Sequence, residues 1–241
     1  MRGPAVRGVV LAGGDSTRFG AADKALAEVD GAAMIRRVAD AVGDATGSTP
    51  LVSAGDDPGP AYRAALPDAG FVSDHAAFVG PLAGVAGAAR EADATWLVVA
   101  ACDMPRVDAR TVRWLVDRCE GGEPGADADA AADTHAAAND DADAVVPVDA
   151  DGVAQPLFAC YRRDSLVRAL EGVPRTAGPR ALLDSLAAAV VTPADAPDGV
   201  SLDAALANVN TAADLDGLDS SGCQHSGGDD SDDDSDDDGE R

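Results

Sequence analysis

The stretch TWLVVAACD, residues 95–103, most limits what this chain can become. Its apolar run is continuous rather than alternating, the form of a strand covered on both faces inside a parallel sheet. An acid, Asp103, stands at its end. RGVVLAG, residues 7–13, reads as a first buried strand of the same kind and ends in Gly13-Gly14. PLVSAG and GFVSD are further short strands. Helical patterns lie between them. AAMIRRVADAVGDA sets Met34, Val38 and Val42 at helical spacing. LAGVAGAAREA follows Gly80-Pro81, a favourable helix start. DARTVRWLVDRCE carries Val112, Leu115, Val116 and Cys119 on one side, with Asp108 placed to cap it. Strands alternating with helices predict an α/β domain whose parallel or mixed sheet is covered on both faces. Ligands of such sheets lie beyond the carboxyl ends of the strands, so Gly13-Gly14 and Asp103 are expected to face one crevice.

Residues 121–143 have little pattern and read as a solvated insertion, His135 included. Pattern resumes in AVVPVDADGVAQPLFACYRRDSLVRAL as two short strands around a turn at Asp149–Gly152, then a helix. GPRALLDSLAAAVV reads as a helix running into a strand. ALANVNTAADLDGL reads as a strand, a turn with Thr211 as cap, and a short helix. From about Asp219 the chain is Ser, Gly and Asp and is expected to be disordered. The expected organisation is one domain over residues 1–216, interrupted by the acidic insertion, and an acidic tail over 217–241. Deleting that tail is expected to spare activity.

Hydrophobic residues make up 46% of the chain, enough for a folded core, and aromatics only 3%, so that core must be mostly Ala, Val and Leu. No apolar stretch is long enough for a membrane span, and the N-terminus lacks a signal-peptide layout; the expectation is a cytoplasmic protein. The formal net charge is −25, and the acids extend beyond the tail and the insertion. Such a surface repels a nucleic-acid backbone and argues against that partner. With Arg filling nearly every basic position, it suggests a salt-rich cytoplasm, or a GC-rich genome, or both. Cys102, Cys119, Cys160 and Cys223 include no CxxC pair, so they read as structural, and Cys223 with His225 in the tail is given little weight as a metal pair.

The loop after the first strand, VVLAGGDSTRFGAADKAL, carries the chemistry. Its glycines let backbone N–H groups converge on phosphate oxygens. The spacing is neither GxxxxGK[ST] nor GxGxxG. Two cations raise it above an ordinary turn. Arg18 can grip phosphate as a fork, and Lys24 supplies a compact, movable charge. Lys24 is the only lysine among 18 Lys and Arg residues. Asp103, an acid leaving a buried strand, suits Mg²⁺, which takes one or two carboxylates plus phosphate oxygens. Arg18, Lys24 and Asp103 are therefore the candidate catalytic residues.

LAGGDSTRFGAADKAL resembles the LAGGxSxRMGxDKxL signature of nucleotidyltransferases. FVSDHAAFVGPLAGV, ACDMPRV, QPLFACYRRDSL and NVNTAADL resemble, in order, segments of the molybdenum cofactor guanylyltransferase family. The resemblance covers about residues 5–216 outside the insertion. Phe19 stands where the family has Met, Ala21-Ala22 is a different spacer, and the helix after Pro174 matches poorly. The resemblance implies a Rossmann-like, three-layer domain with a mostly parallel sheet, and Mg²⁺ as cofactor. It implies transfer of GMP from GTP to the terminal phosphate of molybdenum-molybdopterin. It implies that Leu11, Ala12, Gly13 and Gly14 contact the nucleotide, that Lys24 meets its phosphates, and that Asp74 helps hold the nucleoside. Asp103 matches the acid that binds Mg²⁺, and Asn210 matches, in the wider group, an Asn that joins it at the metal. Ser53 sits nearest the position of a nucleotide-contacting Asn. Arg162, Arg163, Arg175 and Arg180 are a basic cluster in an acidic chain; Arg175 and Arg180, in GVPRTAGPR, are the candidates for the acceptor phosphate. Cofactor-delivery proteins or molybdoenzymes are the expected macromolecular partners, nucleic acid and membrane are not, and composition and resemblance together point to a halophilic archaeon. The alternatives are a CTP-dependent sister enzyme, another phosphate or sugar-phosphate nucleotidyltransferase, and a catalytically silent nucleotide-binding module.

Overall fold

The computed structural model describes residues 5–12, 23–121, 142–211 and 213–215. Gly13, Gly14 and Arg18, most of the insertion with His135, and the tail with Cys223 and His225 lie outside the described residues. Strand β1 (Val6–Leu11) is followed by a two-residue hairpin, β2 (Glu28–Val29) and β3 (Ala32–Ala33), and helix α1 (Met34–Thr46). Then come β4 (Leu51–Ser53), α2 (Gly59–Ala65), β5 (Gly70–Phe71), α3 (Pro81–Glu91), β6 (Trp96–Ala101) and α4 (Ala109–Cys119). The last third holds β7 (Ala144–Pro147), β8 (Phe158–Arg162), α5 (Arg163–Gly172), β9 (Ala188–Val191) and α6 (Leu202–Ala205).

Seven strands form one sheet in the order β5-β4-β1-β6-β8-β7-β9. Only β8 runs against the others, pairing antiparallel with β6 and β7. The sheet is thus mostly parallel, as the sequence led us to expect. All six residues of β6 are buried, which explains its unbroken apolar run. Trp96, Val98 and Ala100 pack in one cluster with Val38 and Val42 of α1 and Val112 and Leu115 of α4. Leu97 and Val99 pack on the other face with Leu82 and Val85 of α3 and Leu166 and Leu170 of α5. Helix, sheet and helix make three layers. Small residues bring α3 very close to the sheet. A Cβ on Gly84 would lie 2.5 Å from the Ser53 hydroxyl, and one on Gly87 2.1 Å from the Ser73 carbonyl oxygen.

Local details differ from the sequence reading. Residues Pro179–Ser185 form a 3-10 helix, not an α-helix: only Leu182 is buried along it, so no apolar face favours a wider turn. No strand forms at 207–210. Ser201 caps α6 instead, and the Val209 N–H leaves to bond the Asp103 carbonyl at 2.8 Å, off the sheet. The sequence reading does not include the β2–β3 hairpin, whose turn, Asp30-Gly31, has φ of 50° and 77°, the paired positive values that an Asp-Gly turn favours. The insertion ends earlier than the composition shift implied. Ala142 is buried, and Asp143 accepts hydrogen bonds from the Ser165 hydroxyl and, at 3.2 Å, the Ala187 N–H. Asp108 caps α4 by accepting from the Thr111 N–H at 2.8 Å, as its position suggested.

Candidate active site

After β1 the chain moves outward through β4 and β5, then returns through α3 to β6 on the other side of β1. A sheet wound this way leaves a crevice at the carboxyl ends of the two central strands. Here Leu11 is in register with Ala101, and the Cys102 N–H bonds the Leu11 carbonyl at 2.9 Å. The first and fourth long runs of the sequence therefore end side by side.

Lys24 reaches into this place from a 3-10 turn, Lys24–Leu26. Its ammonium donates to Asp103 Oδ2 at 3.0 Å and to Asn210 Oδ1 at 3.2 Å. The lysine side chain is 16% exposed and that of Asp103 27%, so the pair is only partly screened by water. Three distant segments thus meet on one cation.

The Lys24 and Asn210 segments are each held from behind. Asp23 caps the Lys24 turn by accepting from the Ala25 N–H at 3.0 Å. Its other oxygen accepts from the Tyr62 hydroxyl at 2.8 Å, and that hydroxyl also lies 3.2 Å from the Ala12 carbonyl oxygen. One phenol on α2 therefore joins the residues on either side of 13–22. Burial, and then the Asp23 carboxylate, push the Tyr62 hydroxyl well above its ordinary range, so it stays a donor. Asn210 is fixed by Asp214, whose carboxylate accepts from the Asn210 N–H at 2.7 Å and the Thr211 N–H at 2.8 Å. The Asp214 N–H in turn donates to the Thr211 hydroxyl at 3.2 Å. The Asn210 and Thr211 amides, with a smaller part from Lys24, hold the Asp214 carboxyl below its usual range. Burial, then the neighbouring Asp103, push the Cys102 thiol up to about 12, which leaves it uncharged beside the site.

A second pair lies at the end of β4. Ser53 is 2% exposed, and its hydroxyl donates to Asp74 Oδ1. Its carbonyl accepts the Ala12 N–H at 2.8 Å. Ser53 is thus the buried support of the Asp74 carboxylate, and Gly84 leaves room for the contact.

This chain matches the family of MobA-like NTP transferase domains over residues 8–191. It belongs to that family. The match includes Lys24 and Asp103, while Asn210 and Asp214 lie beyond it. A probable molybdenum cofactor guanylyltransferase of Haloferax mediterranei is 36% identical over 117 residues, 48% of this chain. The chain spans about half the length of that relative, 55%. A molybdenum cofactor guanylyltransferase of Desulfosudis oleivorans is 30% identical over 177 residues, 71% of this chain and 70% of its own. Among solved structures, the molybdopterin-guanine dinucleotide biosynthesis protein A of Archaeoglobus fulgidus superposes with a TM-score of 0.66 at 22% identity, over 89% of this chain and 97% of its own. That likeness shows the fold: the MobA-like chain is a three-layer α/β domain of the nucleotidyltransferase kind.

The remaining candidates are spread out. Leu11 is buried in the core, and Ala12 is half-buried at the mouth of the crevice. Arg175 is exposed and donates to the Ala76 carbonyl at 2.5 Å, beside the Asp74 loop. Arg180 is exposed. Arg162 and Arg163 do not join them. Arg162 pairs in register with Trp96 at the start of β6 and stacks on its ring at 4.5 Å. Arg163 donates to the Ala89 carbonyl of α3 at 2.9 Å. Both stand at the opposite end of the sheet. Among the supports, Asp23 and Asp214 had readable signals, an Asp before a short helix and the Thr-x-x-Asp capping pattern of 211–214. Tyr62 had none. Among the described residues no helix is long and apolar enough to cross a membrane.

Proposed function

We propose that this chain transfers GMP from GTP to the terminal phosphate of molybdenum-molybdopterin, forming the guanine dinucleotide cofactor and releasing pyrophosphate. The observation that carries the reading is the Lys24–Asp103–Asn210 cluster at the switch point of a MobA-like fold. The names borne by the relatives supply the nucleotide and the acceptor.

Asp103 and Asn210 offer one carboxylate and one amide oxygen, hard donors of the type Mg²⁺ takes when substrate phosphates fill its other positions. Among the described residues no group of three or more His, Cys, Asp or Glu could hold a metal. That donor set fits Mg²⁺ bound together with a triphosphate. When bound there, the ion supplies charge neutralisation for the pyrophosphate that leaves.

The acceptor phosphate oxygen forms a bond to the α-phosphorus of GTP, and the bond to the β-phosphate bridging oxygen breaks in line. Positioning and charge dominate such a transfer. Lys24, and Arg18 by its place in the loop motif, neutralise charge gathering on the leaving pyrophosphate. No general base is required, because the attacking phosphate is already ionised at neutral pH. Asp74, held by Ser53, receives the nucleoside. Arg175, tied beside the Asp74 loop, and Arg180 meet the acceptor phosphate.

The test is a panel of GTP, CTP, UTP and ATP with molybdenum-molybdopterin, following pyrophosphate release. GTP is expected to react fastest by a wide margin. Preference for CTP would make the chain a cytidylyltransferase, and no release with any nucleotide would make it a silent binding module.

A further inference from the structure

Asp103 and Asn210 lie far apart in the sequence, yet one ammonium binds an oxygen of each, at 3.0 and 3.2 Å. The backbone that carries each oxygen is anchored by contacts that do not involve Lys24. Asp103 follows the rigid end of β6, and Asn210 is clamped by Asp214 and by the adjacent Val209 N–H on the Asp103 carbonyl. Lys24 itself sits on a capped turn with a long, rotatable stem. The donors rise from anchored backbone, and the cation stands on a movable stem.

We infer that Lys24 is a stand-in cation: without nucleotide its ammonium occupies the place between Asp103 and Asn210 that a divalent ion takes in the loaded site. The inference rests on the proposed function for the identity of the nucleotide, but not for the exchange itself. A tethered ammonium competes with any free divalent ion for the same two oxygens and repels it at contact distance. The triphosphate resolves the competition by offering Lys24 other oxygens. Divalent ion and nucleotide then bind with positive coupling, each raising the affinity of the other by the same factor. The pairing also has a structural use, since it keeps the carboxylate from standing unpaired in a partly buried place.

The experiment measures Mn²⁺ binding by electron paramagnetic resonance on the full chain, without nucleotide. The variants are Lys24→Met, Lys24→Arg and the double variant Lys24→Met/Asp103→Asn, with circular dichroism to confirm folding. The double variant gives the background from the many surface acids. Above that background, Lys24→Met is expected to bind Mn²⁺ about tenfold or more tightly than the wild-type chain, a factor worth about 1.4 kcal/mol. Lys24→Arg keeps a cation between the two oxygens and is expected to stay as weak as wild type. Adding GTP to the wild-type chain is expected to recover tight Mn²⁺ binding. Equal or weaker Mn²⁺ binding by folded Lys24→Met would overturn the inference and leave the transferase reading untouched. Tight binding by Lys24→Met, with no effect of any nucleotide on the wild-type chain, would uphold the stand-in cation and overturn the transferase reading instead.

Discussion

The two ends of the sheet use basic residues for opposite purposes. At the amino end of β6, Arg162 lies on the Trp96 ring and Arg163 bonds the Ala89 carbonyl near the end of α3. These arginines finish the fold by covering an aromatic face and satisfying helix-end carbonyls. At the carboxyl end, Lys24 bonds no backbone carbonyl among the described residues. It meets a carboxylate and an amide from two other segments, whose backbones are tied to each other and to Asp214. A charge that completes a helix could be exchanged for packing or water. A charge held between side-chain oxygens of two segments, at the switch point of a mostly parallel sheet, is arranged for something that arrives.

The largest effects should come from the cluster itself. Lys24→Ala and Asp103→Ala are each expected to lower GMP transfer by about 10²–10³-fold or more while the chain stays folded, as loss of one preorganised charge commonly does. Pyrophosphate release with circular dichroism checks both, and near-normal transfer in either variant would falsify the mechanism. Lys24→Arg comes next. The guanidinium is planar and broader than an ammonium, so the expected loss is about 10- to 100-fold. Tolerance of arginine there would mean that Lys24 resembles the far-end cations after all.

Tyr62→Phe tests whether the support of the site matters apart from its charges. The hydroxyl contacts Asp23 and lies near the Ala12 carbonyl oxygen, so it acts on Lys24 only through the turn. The expected result is a fall in kcat/KM of about tenfold, carried mainly by KM for the nucleotide. Tenfold is about 1.4 kcal/mol, close to the lower end of the roughly 1.5–3 kcal/mol that a hydrogen bond to a charged group contributes. A change in melting temperature without a change in KM would make Tyr62 a packing residue only.

What could be read from the sequence divides along the same line. The sheet was legible because burial on both faces leaves an unbroken apolar run, as in Trp96–Ala101. Lys24 and Asp103 were legible because each stands at the end of such a run or in the loop that follows one. Their direct pairing was not, because periodicity places strands but does not orient a lysine stem. Tyr62 was invisible for the same reason: its partners are brought to it only by the packing of α2 beside the Lys24 turn. The Asp30-Gly31 hairpin carried a clear turn signal but only two residues per strand, too few to show alternation. Arg162 and Arg163 sit near Arg175 and Arg180 in sequence, but α5 carries the chain from one end of the sheet to the other between them.

Arg163→Ala should give the smallest functional effect and is the control that completes the contrast. Its side chain bonds the Ala89 carbonyl at 2.9 Å and Asp164 at 2.8 Å, and is 31% exposed. The exposed ion pair contributes little. The carbonyl contact contributes about 0.5–1.5 kcal/mol, as an ordinary hydrogen bond does. The melting temperature is therefore expected to fall by a few degrees, with kcat and KM for both substrates unchanged. A variant that kept its melting temperature but bound the acceptor more weakly would break the contrast, because a far-end arginine would then be serving the site. An unchanged rate with a lowered melting temperature would sharpen it: basic residues at one end hold the fold, and the single lysine at the other holds a place for the reaction.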